Sequence, residues 1–340
     1  MEKITLCWRA AKQGYFFEMD IEDVLTLFFE NLPERNPEPL WITIGNFDGL
    51  HLGHQALLNR MKQDAANAGC KSAMVTFQPH PRVVLQNISG PFYLACEEEK
   101  RLLLAQSGLD YVFTLPFDRE LASQSAGQFF SLLLGHLNVR GLTVSENFAL
   151  GRDRSGTLEQ IGRLCADNAI TMDVMPAFCL DGAPVSSGRV REALEAGDVR
   201  AAARLLGRPY FVKSKVVEGK RLGSKLGFPT ANQVVHPQKI LPQYGVYATR
   251  ASFNGEKYMG VTSVGVRPTF ENTTRPNIET LLLDFDDNIY HENLTVEFIE
   301  HLRAEIKFER VEDLIAQIEQ DKREARRTLT HESFQENLPT

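Results

Sequence analysis

The chain lacks any long apolar run free of charge. Its densest short stretch, Val24-Leu25-Thr26-Leu27-Phe28-Phe29, is closed off by Asp23 and Glu30. A membrane helix needs about 20 apolar residues, and a secretory leader needs a longer apolar core behind a basic start, so neither is expected. Residues 121–139 carry no formal charge, but Ser123, Gln124, Ser125, Gln128, Ser131, His136 and Asn138 predict an amphipathic helix rather than a lipid span. Cysteine is sparse: Cys7, Cys70, Cys96, Cys165 and Cys179 are scattered, odd in number and without metal or disulfide spacing. That excludes a disulfide scaffold and fits a reducing cytoplasm. A cationic excess is missing too. With 37 Lys and Arg against 44 Asp and Glu, the net charge of −7 speaks against a nucleic-acid face. The expected setting is cytoplasmic, with no membrane and no nucleic-acid partner; nothing in the sequence sets an oligomeric state.

What is present is ordinary in bulk and informative in pattern. A length of 340 residues is long for one core and predicts two domains. Through the first two hundred residues, strand-like stretches at 73–77, 111–115 and 142–144 alternate with helical patterns near 57–68, 97–106 and 119–137. Thr157 and Gln160 have capping-box spacing for a helix to about residue 169, with a strand near 171–175. This alternation predicts an α/β fold: a doubly wound parallel sheet with helices on both faces and ligands at the carboxyl ends of its strands.

The character changes at Gly207-Arg208-Pro209, which stops an Ala-, Leu- and Arg-rich helix at 199–206. Beyond it, 210–217, 245–253, 257–264, 278–285 and 294–299 favour strands, Asn254-Gly255 is a hairpin signal, and 311–326 reads as an amphipathic helix. A small antiparallel β-barrel with a terminal helix is expected. Residues 1–40 form an N-terminal extension without evident chemistry, in which 21–30 reads as a short amphipathic helix; the two domains are then 41–207 and 208–335.

The densest motif is Gly45-Asn46-Phe47-Asp48-Gly49-Leu50-His51-Leu52-Gly53-His54. It follows the β-branched run Trp41-Ile42-Thr43-Ile44 and leads into a segment with Leu57, Leu58, Met61 and Ala65 on one side. A strand, a glycine-rich turn and a helix start together favour phosphate, through backbone N–H groups and the helix dipole. His51 and His54 can add donors to the same oxygens. Each element alone fits a plain βα connection with polar turn residues; a zinc reading of His-x-x-His lacks further ligands at suitable spacing.

Two further places carry chemistry. In the stretch from Gly219 to Asn232, Gly219, Gly223 and Gly227 lie among Lys220, Arg221 and Lys225, ahead of Phe228-Pro229-Thr230-Ala231-Asn232. Glycines allow close approach to phosphate and cations offset its charge. Thr230 and Asn232, two apart, can turn both oxygens toward Mg²⁺. A solvated basic hairpin loop is the competing reading. Glu279 interrupts an apolar run that continues Leu281-Leu282-Leu283, and is either a paired structural charge or a general base.

Taken together these motifs resemble the bacterial bifunctional riboflavin kinase/FAD synthetases, over about residues 41–326. The Gly45–His54 stretch is similar to the family's nucleotidyltransferase signature. Thr76-Phe77-Gln78-Pro79-His80-Pro81, Val185-Ser186-Ser187-Gly188-Arg189-Val190-Arg191 and Leu206-Gly207-Arg208-Pro209-Tyr210 follow in family order. Gly227-Phe228-Pro229-Thr230-Ala231-Asn232, Gly265-Val266-Arg267-Pro268-Thr269-Phe270 and the residues from Glu279 to Asp286 resemble its kinase elements.

The resemblance implies two reactions with ATP as co-substrate and riboflavin, FMN and FAD as substrates or products. In the second half, Glu279 would be the general base that lets riboflavin take the γ-phosphate of ATP, with Thr230 and Asn232 on Mg²⁺ and the glycine-rich segment over the nucleotide. In the first half, FMN would attack the α-phosphate of a second ATP. His51 and His54 would stabilise charge and Asn46 would position the nucleotide, while Ser186, Ser187 and Arg191 hold the pyrophosphate.

This chain departs from the family pattern at Ser145, Asn147, Ala149 and Leu150, at Gly188 where a threonine is usual, at Ser263 for asparagine and at His291 for glycine. Two rivals stand beside this reading, a kinase whose first domain binds nucleotide without turnover and a non-catalytic flavin-binding regulator, with a related cytidylyl- or pantetheine-phosphate adenylyltransferase as a more distant third. The intact Glu279 opposes the second of these, and Pro229-Thr230-Ala231-Asn232 the third.

Overall fold

The computed structural model describes residues 5–7, 26–219, 223, 226–268 and 274–332. They divide into two compact units, one running to Ser186 and the other from Ser187.

The first unit is built on a seven-stranded sheet. Its elements are β1 (Thr5–Cys7), β2 (Thr26–Phe29), β3 (Asn36–Ile44), α1 (Leu52–Asn67), β4 (Lys71–Gln78), α2 (Pro81–Leu85), α3 (Glu97–Ala105), β5 (Tyr111–Pro116), α4 (Arg119–Ser123), α5 (Ala126–His136), β6 (Leu137–Ser145), α6 (Leu158–Asp167) and β7 (Thr171–Met175). A two-stranded ribbon, β8 (Cys179–Leu180) with β9 (Ala183–Pro184), follows. The sheet order is β1-β2-β5-β4-β3-β6-β7, parallel throughout except for the antiparallel β1–β2 edge.

Strands β3 to β6 are rich in Val, Ile, Leu and Phe because both sheet faces are covered. Leu40, Ile42 and Ile44 pack with Phe129, Phe130 and Leu133 of α5 and with Ile161 and Cys165 of α6. On the opposite face the Trp41 indole N–H donates to Thr143 Oγ1 (2.7 Å), which donates to Asp64 of α1 (2.9 Å). The chain winds from β3 through β4 to β5 on one side, then returns to lay β6 on the other. The winding therefore reverses at the carboxyl end of β3, where open α/β sheets take ligands.

The second unit begins with α7 (Ser187–Glu195) and α8 (Val199–Leu206), the latter capped by Asp198 and stopped by Gly207 at φ +69°. Strands β10 (Tyr210–Val217), β11 (Ala231–Val234), β12 (Gly245–Phe253), β13 (Glu256–Pro268), β14 (Thr274–Leu282) and β15 (Asn293–Arg303) close an antiparallel barrel in the order β10-β11-β14-β13-β12-β15. Asn254-Gly255 makes the β12–β13 turn with both residues at positive φ. The C-terminal helix Val311–Glu332 lays Ala325 and Leu329 on Val246, Ala248, Val261 and Leu281 of the barrel.

The expected α/β unit and barrel are both present, with four local corrections. Residues 26–29, read as helical, are a strand: Thr26 and Phe28 are buried and their neighbours half-exposed, a period of two rather than 3.6. The helix expected over 119–137 is broken, because Ser125 forms a capping box with Gln128 and starts α5 afresh. At α6, Thr157 accepts from the Gln160 N–H, the backbone half of the box. Strand β14 ends at Leu282, since Asp284 turns at φ +60°.

Candidate functional site

In the first unit the glycine-rich turn leaves β3 at the winding reversal. Gly45 N–H donates to the Val75 carbonyl (3.0 Å), continuing the β3–β4 register into the turn. Phe47 (φ +50°), Gly49 (φ +78°) and Leu50 (φ +42°) then take left-handed backbone, which costs the two non-glycine residues on the order of 1 kcal/mol each. A side chain at Gly49 would also strike Leu94 at 2.8 Å.

His51 is the N-cap of α1, its Nδ1 accepting from the His54 N–H at 3.3 Å. That bond leaves the His51 proton on Nε2 when the ring is neutral. The two imidazoles stack with centroids 3.6 Å apart and planes 17° apart, and Phe47 packs against His54 at 5.1 Å. His51 is buried and His54 half-buried. Gly53 lets the chain close over this pair: a Cβ there would lie 3.2 Å from the His51 ring and 3.4 Å from the Val185 carbonyl. The turn and the residue before Ser186 are thus neighbours. Ser186 is exposed, Ser187 opens α7, and Arg191 lies one turn further along it, half-buried.

Asp48 and Asn46 behave differently from simple phosphate ligands. The Asp48 carboxylate, 4 % exposed, accepts from the N–H groups of Leu94 (3.0 Å) and Ala95 (3.2 Å) and so fixes the turn from behind. Asn46 Oδ1 is buried with no hydrogen-bond partner among the described residues, an arrangement that costs about 1–3 kcal/mol unless a donor arrives.

Sequence reasoning missed Lys100. Its Nζ donates to the Asn46 carbonyl (2.7 Å) and to Thr76 Oγ1 (2.8 Å). Burial pulls its pKa down to about 8, against the opposing pull of Asp48 and Glu97. Glu97-Glu98-Glu99-Lys100 reads locally as a solvated helix start, so the sequence carried no signal for it. Of the departures from the family pattern, Leu150 is buried in the core beside α5, and Asn147 and Gly188 are exposed.

In the second unit the barrel brings three polar residues into one row. Asn232 on β11 pairs with Glu279 on β14, and Glu279 pairs with Ser263 on β13. Cross-strand partners share a face with Cβ atoms about 4.5–5.5 Å apart. Asn277 Nδ2 donates to Glu279 Oε1 (2.9 Å), and Asn232 Nδ2 donates to the Thr230 carbonyl (3.2 Å), which fixes the orientation of each group.

Two glycines pack closely on this part of the barrel. A Cβ at Gly219 would strike the Asn232 amide at 2.4 Å, and one at Gly223 the Phe228 carbonyl at 2.3 Å. Gly227 turns at φ +85°, ahead of exposed Pro229 and half-buried Thr230. Lys220, Arg221 and Lys225 lie outside the described residues, as do Thr269 and Phe270. His291 sits at φ +72°, a conformation that accounts for the glycine usual there.

The comparisons agree with this two-unit layout. The FAD synthetase family model matches residues 33–189 and the riboflavin kinase family model, Flavokinase, residues 206–329. A bifunctional riboflavin kinase/FMN adenylyltransferase of Listeria monocytogenes is 34% identical over 84% of this chain and 91% of its own length. One from Haemophilus influenzae is 37% identical over 82% of this chain and 91% of its own. A crystal structure described as a macrolide-efflux protein from Streptococcus pneumoniae shares the fold, with a TM-score of 0.78 and 26% identity over 89% of this chain and 99% of that one. No helix among the described residues is long and apolar enough to cross a membrane. On these matches and this architecture, the chain belongs to the family of bifunctional riboflavin kinase/FMN adenylyltransferases.

Proposed function

We propose that the chain converts riboflavin to FMN with one ATP on its barrel unit and FMN to FAD with a second ATP on its parallel-sheet unit, dividing the work between residues 208–335 and 41–207. The observation that carries this reading is an asymmetry between the units. The barrel presents a carboxylate, Glu279, beside two neutral oxygen ligands. The acid of the glycine-rich turn, Asp48, is instead committed to backbone N–H groups.

The chemistry needs that difference. A ribityl hydroxyl is a poor nucleophile, so Glu279 takes its proton as the oxygen attacks the γ-phosphorus and ADP leaves. Asn277 holds the Glu279 carboxylate in place through its 2.9 Å hydrogen bond. The FMN phosphate is already anionic and needs positioning and charge neutralisation instead. Its oxygen attacks the α-phosphorus of ATP, the bond to the β-phosphate breaks, and pyrophosphate leaves. His51 and His54 donate to the transferring group, and Asn46 takes a donor from the bound nucleotide.

Mg²⁺ fits the second unit. Thr230 and Asn232 offer hard neutral oxygens, and among the described residues no cluster of three His, Cys, Asp or Glu forms an all-protein cage. Such a site holds Mg²⁺ jointly with nucleotide phosphates, and the Gly219 backbone packs directly on the Asn232 amide, where a side chain would strike it at 2.4 Å. When bound, the ion neutralises charge on the ATP phosphates.

Product stoichiometry tests the reading. Each FAD made from riboflavin must be matched by one ADP and one pyrophosphate; ADP without pyrophosphate would confine the chain to phosphorylation.

A further inference from the structure

The first unit holds a buried cation, Lys100, joined to the strained glycine-rich turn. Residues 94–100 grip the turn at two points. Leu94 and Ala95 hold Asp48 through their N–H groups. Lys100 holds Asn46: its Nζ donates to the Asn46 carbonyl at 2.7 Å and to Thr76 Oγ1 at 2.8 Å, and Thr76 Oγ1 donates to the same carbonyl at 3.3 Å. A closed triangle therefore ties the turn after β3 to the end of β4. Directly beyond it, Asn46 Oδ1 is buried without a partner among the described residues, and Asn46 and Lys100 line one cavity with Gln78 and Glu97.

We propose that Lys100 is a positioning residue for adenylyl transfer, pinning the Asn46 carbonyl so that the Asn46 amide and the His51–His54 pair meet the nucleotide in a fixed pose. This rests on the reading of the first unit as an FMN adenylyltransferase. A buried ammonium suits the task better than a neutral donor: it makes charge-assisted bonds to two acceptors at once and adds positive charge beside two anionic reactants. The groups that face it are Asp48 and Glu97, which favour its charged form, with His80 and Tyr93 on the same cavity and Glu30 and Arg101 on the adjoining one. Burial opposes them and brings its pKa down to about 8.

The test compares Lys100→Met and Lys100→Arg in the full chain, measuring kcat and KM for FAD formation from FMN and ATP. FMN formation from riboflavin serves as the control in the same preparation. Lys100→Met should lower kcat for FAD formation on the order of 100-fold, the scale of a misplacement of about 1 Å, with KM for FMN changed less than about fivefold. FMN formation should stay within about twofold, and Lys100→Arg should recover about tenfold of the loss. Thr76→Val, which removes the bridging hydroxyl and keeps the charge, should lower the same kcat about tenfold and decides the matter if Lys100→Met fails to fold. FAD formation by Lys100→Met within about threefold of the unaltered chain, or equal losses in the Met and Arg variants, would overturn the proposal. An unaltered chain that makes no FAD would overturn the reading of the unit, and the role of Lys100 with it.

Discussion

Asn232 and Glu279 stand directly opposite one another in the antiparallel β11–β14 ladder, with Ser263 on the far side of Glu279. Register makes this relationship: a slip of one residue in either strand would turn one group to the other sheet face. It places a fixed amide beside a fixed carboxylate, one suited to a metal-bound phosphate and the other to a proton.

Glu279→Gln keeps the shape of the row and removes the base. FMN formation should fall by about two orders of magnitude or more, while FAD formation from supplied FMN continues. Near-normal phosphorylation of riboflavin by the variant, measured by chromatography of the flavins, would remove Glu279 from the role.

His51→Ala deletes the imidazole that caps α1 and stacks on His54 at 3.6 Å. FAD formation should drop about 100-fold or more, with FMN formation unchanged. Equal loss of both products would contradict two separate sites.

Lys100 should give the FAD-forming step an alkaline limb. Burial depresses its pKa in the folded chain to about 8 from an ordinary lysine's 10.5, so the ammonium is present below about 8 and lost as pH rises through it. FAD formation should fall above that pH, and the fall should move upward in Lys100→Arg, whose charge persists. Stability runs the other way. Between about 8 and 10.5 the unfolded chain holds more protons at this site than the folded one, so its contribution to stability rises with pH. Identical alkaline limbs in the two proteins would show that another group sets the profile.

Arg303 and Asp321 tie β15 to the C-terminal helix through bonds of 2.9 Å from Nε and 2.7 Å from Nη2, with Asp321 only 3 % exposed. Asp321→Ala leaves the guanidinium with its partner gone and should destabilise the barrel unit by about 3 kcal/mol. Chemical denaturation followed through riboflavin kinase activity checks it; an unchanged midpoint would show that the helix docks by its apolar contacts alone.

His291 at φ +72° offers a stability test free of the active sites. Replacement by Val should cost about 1–2 kcal/mol, because a β-branched side chain resists left-handed backbone. Replacement by Gly should be neutral or slightly stabilising, relief of strain offsetting the greater freedom of the unfolded chain. Thermal melts rank the three proteins.

Where apolar pattern and turn chemistry agreed, the sequence could be read directly. The β3 run, the glycines and the α1 stripe together marked the nucleotide turn, and Asn254-Gly255 marked its hairpin. Strand β11 was hidden because Ala231-Asn232-Gln233-Val234 is half polar. Gln233 is fully buried only because its amide donates to Ser214 Oγ and to the Ser214 and Leu294 carbonyls, partners supplied by other strands. Residues 26–29 satisfy both a helical and a strand pattern, and pairing with β5 decided between them. Asp48 looked like a phosphate residue and Lys100 like a surface one, because the contacts that give each its place lie some fifty residues away in the chain.

Synthesis of FMN and then FAD by one chain is tested by a chromatographic time course of the purified chain with riboflavin, ATP and Mg²⁺, resolving the three flavins. FMN should rise first and then be converted to FAD, with Asn147, Ala149, Leu150 and Gly188 in place. FMN that accumulates with no FAD would contradict it.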